Sequence, residues 1–392
     1  MEKFEQEAES ASARHEIPGA VVVATDKFGD FYYSNAFGKR SVRVGADQSP
    51  LTLDSIMRIA SCTKLVTAIA ALQCVDRGLL HLDKPIYNVL PELSRKPILK
   101  RWRWNKSNYQ AVPVMKPHKK KLTLRHLLTH TSGLAAWSHP DLVRWLKWHR
   151  IAAEAAPSVE RRHNPPLVFE PGESWFSGPG IDWAGVAVER VTGRDLQCWC
   201  EEHIFKPVGA EDVVFTPYLC KRPDLEERVV DMSIRDPENP ARSSSADFHK
   251  ILHGVLNSGK AGSLLDKWTY NELFRPCLGR APKMALNCFF DQEENGALGN
   301  IPRSVTKNWA IGGVINEQDL PDGRKAGTMT WIGSPNLYWW IDRESGLCAY
   351  YATQIYRPAD EPTSRLVHLF EKGLYETYSL EEAWNELLLM AL

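Results

Sequence analysis

No stretch of the 392-residue chain approaches the roughly 18 consecutive apolar residues of a membrane-spanning helix. The N-terminal MEKFEQEAESASARHEIPG also lacks the apolar core of a secretory signal. Excess charge of either sign is missing: 48 Lys and Arg balance 48 Asp and Glu, which argues against a dedicated nucleic-acid binder. Metal-type CxxC pairs are absent. The eight cysteines (Cys62, Cys74, Cys198, Cys200, Cys220, Cys277, Cys288 and Cys348) are scattered, as expected for reduced, mostly buried thiols in a cytoplasmic protein. Cys198, Cys200 and His203 come nearest to a ligand cluster, but their spacing fits no zinc pattern and the segment reads as helix. Neither an internal repeat nor a low-complexity linker is visible. What is present is apolar: 43% hydrophobic residues can build one large domain or two intimate ones.

Along the chain, residues 1–15 read as a helix and AVVVATDKFGDFYYSNAFG as a β-hairpin around Asp30. Residues 61–79 read as a helix with Leu65, Ile69, Leu72 and Val75 on one side and Gly78 near its end. Residues 95–121 are basic, with Trp102 and Trp104 among few aliphatics, and read as a surface excursion. LTLRHLLTHTSGL (122–134) is a short helix closed by a Ser-Gly turn, and Trp137, Trp145 and Trp148 lie on the next helical segment. Residues 178–205 read as one or two helices broken at Gly193, and 243–259 as another helix. WAIGGVINE, GTMTWIGSP, LYWWID and LCAYYATQI supply three or four antiparallel strands, and 361–391 a terminal helix. The expected class is α+β: an antiparallel sheet flanked by terminal helices, plus an inserted helical lobe. Residues 1–85 and 300–392 would form the sheet-containing lobe, 86–299 a mainly helical lobe with insertions, and the cleft between them is the favoured place for a ligand.

The helix beginning RIASCTKLVTAIAALQCVDRGLL carries Ser61 and Lys64 three residues apart, on one face. A serine hydroxyl is a weak nucleophile until a neighbouring base takes its proton. Lysine can be that base once burial lowers its pKa, and apolar neighbours here supply the burial. At a helix start, free N–H groups also favour a developing oxyanion. S-x-x-K is short, however, and a capping serine beside a snorkelling lysine has the same spelling.

Four longer stretches decide between these readings. MRIASCTKLVTAIAALQCVDRGLLHLDKPI (57–86), LTLRHLLTHTSGL (122–134), PGESWFSGPGIDWAGVAVERVTG (171–193) and GTMTWIGSPNLYWWID (327–342) together resemble the serine β-lactamase-like, penicillin-binding-protein-like esterases and acyltransferases. The nearest likeness is to the fungal secondary-metabolism branch with its lovastatin-type acyltransferases. The resemblance implies the β-lactamase/transpeptidase-like fold, no metal and no organic cofactor. It makes Ser61 the acyl-accepting nucleophile and Lys64 its partner. It also places Trp331 and Gly333 in the third motif, with the N–H of Gly333 or Ser334 as an oxyanion donor beside that of Ser61. His130 in THTSGL is expected to be a structural hydrogen-bonder.

One departure is prominent. The branch usually carries tyrosine two residues after the Trp of PGExW, as a proton shuttle; here that position is Ser177, and Phe176 is one residue early. Ser177 takes the tyrosine's role, or acts through a water, or the acyl-transfer machinery has been repurposed. The first option puts Ser177 with Ser61 and Lys64 as catalytic residues. Pro179 also stands where an Asn is usual, which weakens any expectation of β-lactam hydrolysis. Trp175, with the other tryptophans of the helical excursions, suits a large apolar ligand; the resemblance points to a polyketide- or terpenoid-type metabolite. The HKKK run (118–121) offers a meeting point for an acyl-carrier protein or a CoA thioester. The leading expectation is a serine-nucleophile esterase or acyltransferase working through acyl-Ser61. The rivals are a non-acylating isomerase, cyclase or lyase that uses Lys64 and nearby polar groups, and a silent binding protein.

Overall fold

The structure is a computed structural model. It describes residues 1–105, 110–150, 165–234, 243–292, 298, 301–321, 323–356 and 358–391. Seven antiparallel strands form its centre: β1 (Gly19–Asp26), β2 (Tyr32–Gly38), β3 (Lys307–Ala310), β4 (Gly313–Asn316), β5 (Met329–Gly333), β6 (Leu337–Asp342) and β7 (Leu347–Ala352), in the order β2-β1-β7-β6-β5-β4-β3. Hairpin β1–β2 therefore joins the late strands through β1 and β7, with Val23 opposite Tyr350. WAIGGVINE is two strands rather than one, so the late segments supply five. The break falls at the two-residue turn Ile311-Gly312, where Gly312 has a φ of 104° that a residue without a Cβ adopts freely.

Both faces of the sheet are covered, which is why β1, β3, β4, β6 and β7 are buried along their whole length. Alternate residues face opposite layers. Ala20, Val22, Trp340 and Tyr351 pack under helices α1 (Glu2–Ala13) and α5 (Glu361–Ala391), through Phe4, Ala8, Leu366 and Phe370. Val21, Val23, Trp339 and Tyr350 face the larger core, which holds α2 (Thr63–Asp76), α3 (Gly180–Thr192) and α4 (Ser245–Leu256). Each fully buried aliphatic or aromatic side chain contributes roughly 1.5–3 kcal/mol.

Helix α2 is buried from Leu65 through Cys74, because its sequence is apolar nearly all round and it packs on α3. Gly193, at a φ of 66°, ends α3 and turns the chain into Leu196–Cys200. The segment read as a surface excursion contains an antiparallel hairpin, Pro97–Asn105 with Gln110–Pro117. Trp102 and Trp104 alternate with Arg101 and Arg103 along its outer half, while Ile98 and Leu99 at its start are buried. No helix among the described residues is long and apolar enough to cross a membrane. Of the eight cysteines, all free, Cys62, Cys74, Cys200 and Cys348 are buried and the other four are partly or fully exposed.

Candidate active site

Ser61 does not open the α-helix itself. It lies in a 3-10 turn, Ala60–Cys62, closed by the Cys62 N–H donating to the Ile59 carbonyl at 2.9 Å, and α2 begins at Thr63. In such a turn, side chains three apart nearly eclipse. The Lys64 Nζ accordingly lies 2.7 Å from the Ser61 Oγ. Ala60 enters the turn with a φ of 43°, a left-handed conformation that costs a residue with a Cβ about 1–3 kcal/mol. That strain sits one residue before the candidate nucleophile.

Burial pulls the Lys64 pKa down, and the nearby Asp182 carboxylate partly opposes the shift. The amine is thus biased toward its neutral form, in which the Ser61 O–H can donate to it. Cys62 beside them is fully buried, and burial raises its thiol pKa, so it stays protonated and inert.

The end of β5 closes one side of the turn. A Cβ on Gly333 would stand 2.6 Å from the Ile59 carbonyl oxygen and 3.2 Å from the Cys62 Sγ, so only glycine lets this strand approach the nucleophile turn so closely. Ser334 follows, half-buried. Trp331 lies in a buried aromatic cluster, its ring 4.7 Å from Trp309. Trp175 joins the same cluster, 5.4 Å from Trp309 and 5.5 Å from Phe289. His130 packs edge-on against Trp309 at 4.9 Å and against Trp175 at 6.0 Å. Its Nδ1 accepts the Gly178 N–H at 3.3 Å, and its carbonyl accepts from Phe176. Burial and the Lys64 charge lower the His130 pKa to about 3, so its imidazole is neutral. His130 therefore stitches the 176–178 segment to the THTSGL turn.

Ser177 is fixed through its backbone, its carbonyl accepting the Ala136 N–H at 3.0 Å. Its hydroxyl makes no hydrogen bond to Ser61 or Lys64 among the described residues. Ser61 and Lys64 open instead into a cleft of about 520 Å³ lined also by Ala60, Thr63, Thr67, Ile181, Asp182, Gly185, Val186, Glu189, Leu196 and Phe215. Ser177, Trp175, Trp331, Gly333 and Ser334 are not among these lining residues, and Phe215 is the one aromatic among the described residues of the wall. The tryptophans of the helical excursions serve elsewhere: Trp104 and Trp148 are exposed, and the Trp102 Nε1–H donates to Asp141. Asp182 and Glu189 escaped the sequence reading. The signal was available, since 182, 185, 186 and 189 lie on one face of α3 at helical spacing.

The HKKK run wraps a buried carboxylate. Glu170 accepts the backbone N–H groups of Lys119 and Lys120, and Lys116 reaches it at 3.4 Å. Among the described residues, no group of three His, Cys, Asp or Glu side chains is placed to hold a metal ion.

The profile of the β-lactamase family matches residues 4–372. The chain belongs to the β-lactamase family. Monacolin J acid methylbutanoyltransferase of Aspergillus terreus is 33% identical, over 93% of this chain and 92% of its own. Lovastatin esterase of Penicillium rubens is 34% identical, over 94% of this chain and 96% of its own. Unliganded simvastatin synthase of Aspergillus terreus superposes with a TM-score of 0.87 at 33% identity, covering 96% of this chain and 98% of that one. The family's relatives are named acyltransferases and esterases, and this chain is an enzyme of the same serine hydrolase and acyltransferase kind.

Proposed function

We propose that the chain is a serine-nucleophile esterase or acyltransferase acting on a polyketide- or terpenoid-type secondary metabolite. The observation that carries this reading is the 2.7 Å contact between Ser61 and a desolvated Lys64 at the edge of an open cleft. Neutral Lys64 accepts the Ser61 proton as Oγ attacks the acyl carbon. The developing oxyanion meets the N–H of Ser61 and that of Gly333 or Ser334, at the end of the strand that touches the turn. Collapse expels the alcohol or thiol, which takes the proton from Lys64. Water or an acceptor alcohol then attacks acyl-Ser61, giving up its proton to Lys64; the Ser61 Oγ–acyl bond breaks, Lys64 returns the proton to Oγ, and the acid or the new ester is released. The named relatives, a methylbutanoyltransferase and an esterase, cover both fates of an acyl-enzyme. The acyl donor would be a small-molecule ester or a thioester of CoA or an acyl-carrier protein.

Ser177 stands where the family has a tyrosine and makes no direct hydrogen bond to the pair among the described residues, so in this scheme proton traffic runs between Ser61 and Lys64. The non-acylating alternative keeps Lys64 as the acting base and leaves Ser61 unmodified. Incubation with an activated ester, followed by mass analysis, separates the two.

A further inference from the structure

We propose that the protein carries a second binding site, a cavity of about 480 Å³ beside the catalytic cleft, which takes an uncharged apolar molecule by its carbonyl oxygen. The two spaces share a strip of chain. Leu196 and Phe215 line the cleft, while their neighbours Gln197, Val213 and Val214 line the cavity. Ser61, Lys64 and Gly333, which carry the proposed chemistry, do not border it. Its volume lies within the roughly 300–1,000 Å³ of small-molecule sites.

The polar anchor is Gln197, which is only 8% exposed. Its Oε1 accepts the Phe215 N–H at 2.8 Å. That bond fixes which end of the amide is the oxygen and leaves two N–H donors on Nε2. Among the described residues they meet no acceptor. A buried donor without an acceptor is costly, and an incoming carbonyl oxygen removes that cost. The other buried residues of the lining, Phe205, Ala210, Val213 and Val214, are apolar. Charge stays with the more exposed residues. Lys206 pairs with Glu201 at 3.1 Å, Arg222 with Asp224 at 2.6 Å, and Lys221 lies over the Tyr218 ring at 4.8 Å. Lys221 and Glu211 are both exposed, one of each sign, where water and salt screen them. The buried lining therefore offers one donor and no charge. A carboxylate there would give up its hydration for a hydrogen bond to a neutral amide, whereas a ketone, lactone or ester carbonyl gives up far less.

The test uses benzophenone, a neutral ketone that bonds to a nearby C–H group on irradiation, so the adduct itself reports where it was bound. Peptide mapping of the full chain should place the adduct on Phe205, Val213 or Val214. Competition sets the chemistry. 4-Phenyl-2-butanone should suppress labelling at about one fifth of the concentration needed of butylbenzene, the factor one neutral hydrogen bond supplies. 4-Phenylbutyrate should compete less well than the ketone. Val214→Phe, which fills the space, should abolish the adduct. Gln197→Glu, which keeps an acceptor for Phe215 but replaces the donor, should lower it at least fivefold. Adducts confined to the cleft or scattered over the surface, butylbenzene competing as well as the ketone, the carboxylate competing better, or labelling that survives Val214→Phe would each overturn the proposal. The competition is run on the wild-type chain, so a poorly folding variant leaves the question answerable. None of these readouts needs turnover, and the acyl-transfer reading stands or falls separately, on the mass of acyl-Ser61.

Discussion

The two sides of the sheet treat buried charge in opposite ways. Under α1 and α5, Arg324 is 1% exposed and meets Glu371 through two hydrogen bonds of 2.7 and 2.8 Å. Asp342 beside them accepts the Tyr375 hydroxyl at 2.8 Å and the Lys325 N–H at 2.9 Å. Charge there is met by charge or by several donors, as burial requires. On the other side, Lys64 is partly buried at the cleft, and among the described residues its hydrogen-bonding partner is the Ser61 hydroxyl. Even Lys307, another lysine whose pKa burial lowers, places its ammonium on two carbonyls, those of Pro302 and Val305. Carbonyls can only accept, and so they offer Lys307 no proton to exchange. A serine hydroxyl can donate as well as accept, and so it lets Lys64 exchange a proton. The contrast supports the proposed reading, in which the pair under the cleft transfers a proton while the buried charges under α1 and α5 hold the fold.

Removing Ser61 breaks the reactive side most completely. Ser61→Ala should lower kcat by at least ~10³-fold while the melting temperature barely moves, read by ester turnover and thermal denaturation. Lys64→Met should be as damaging, and the double variant no worse, because the pair acts as one unit. Lys64→Arg should fail too, since a guanidinium keeps its proton. The converse holds on the structural side. Glu371→Ala leaves Arg324 buried without its carboxylate, and chemical denaturation should show a loss of about 3–5 kcal/mol, with kcat unaltered below the unfolding transition.

Smaller effects sharpen the same contrast. Asp182 favours protonated Lys64, so Asp182→Asn should lower the Lys64 pKa further. The base must be neutral to act, and the acid limb of the kcat/KM profile should therefore move to lower pH. If Lys64 worked as a cation, the alkaline limb would move to lower pH instead and the acid limb would stay. Ser177→Ala should change kcat less than tenfold, because its hydroxyl makes no hydrogen bond to the pair among the described residues; a loss of ~10²-fold or more would identify it as a proton shuttle.

Much of this was legible in the residues. The sheet announced itself through its β-rich runs, and the terminal helices were legible as 1–15 and 361–391, the first of which buries Phe4, Ala8 and Ala11. Ser61 and Lys64 were found because a hydroxyl and an amine one turn apart in an apolar helix demand an explanation. Other features depend on long-range packing. The 3-10 turn and the left-handed Ala60 follow from the closeness of Gly333, some 270 residues away in the chain. The positions of Trp175 and Trp331 were hidden for the same reason: the tryptophan count is visible in the sequence, but only the fold gathers these rings around Trp309 rather than along the cleft. The hairpin at 97–117 was missed because its basic, exposed faces lack the apolar alternation of a half-buried strand.

The central claim is that Ser61 becomes acylated. The most direct measurement is the mass of the intact protein seconds after mixing with a p-nitrophenyl ester, followed by tryptic mapping of the peptide Ile59–Lys64. The account predicts one acyl group on the wild-type chain, located on Ser61 rather than on the buried Cys62, and none on Ser61→Ala. Continued turnover of the ester by the wild type with no acyl mass at Ser61, or with full turnover retained by the alanine variant, would contradict it.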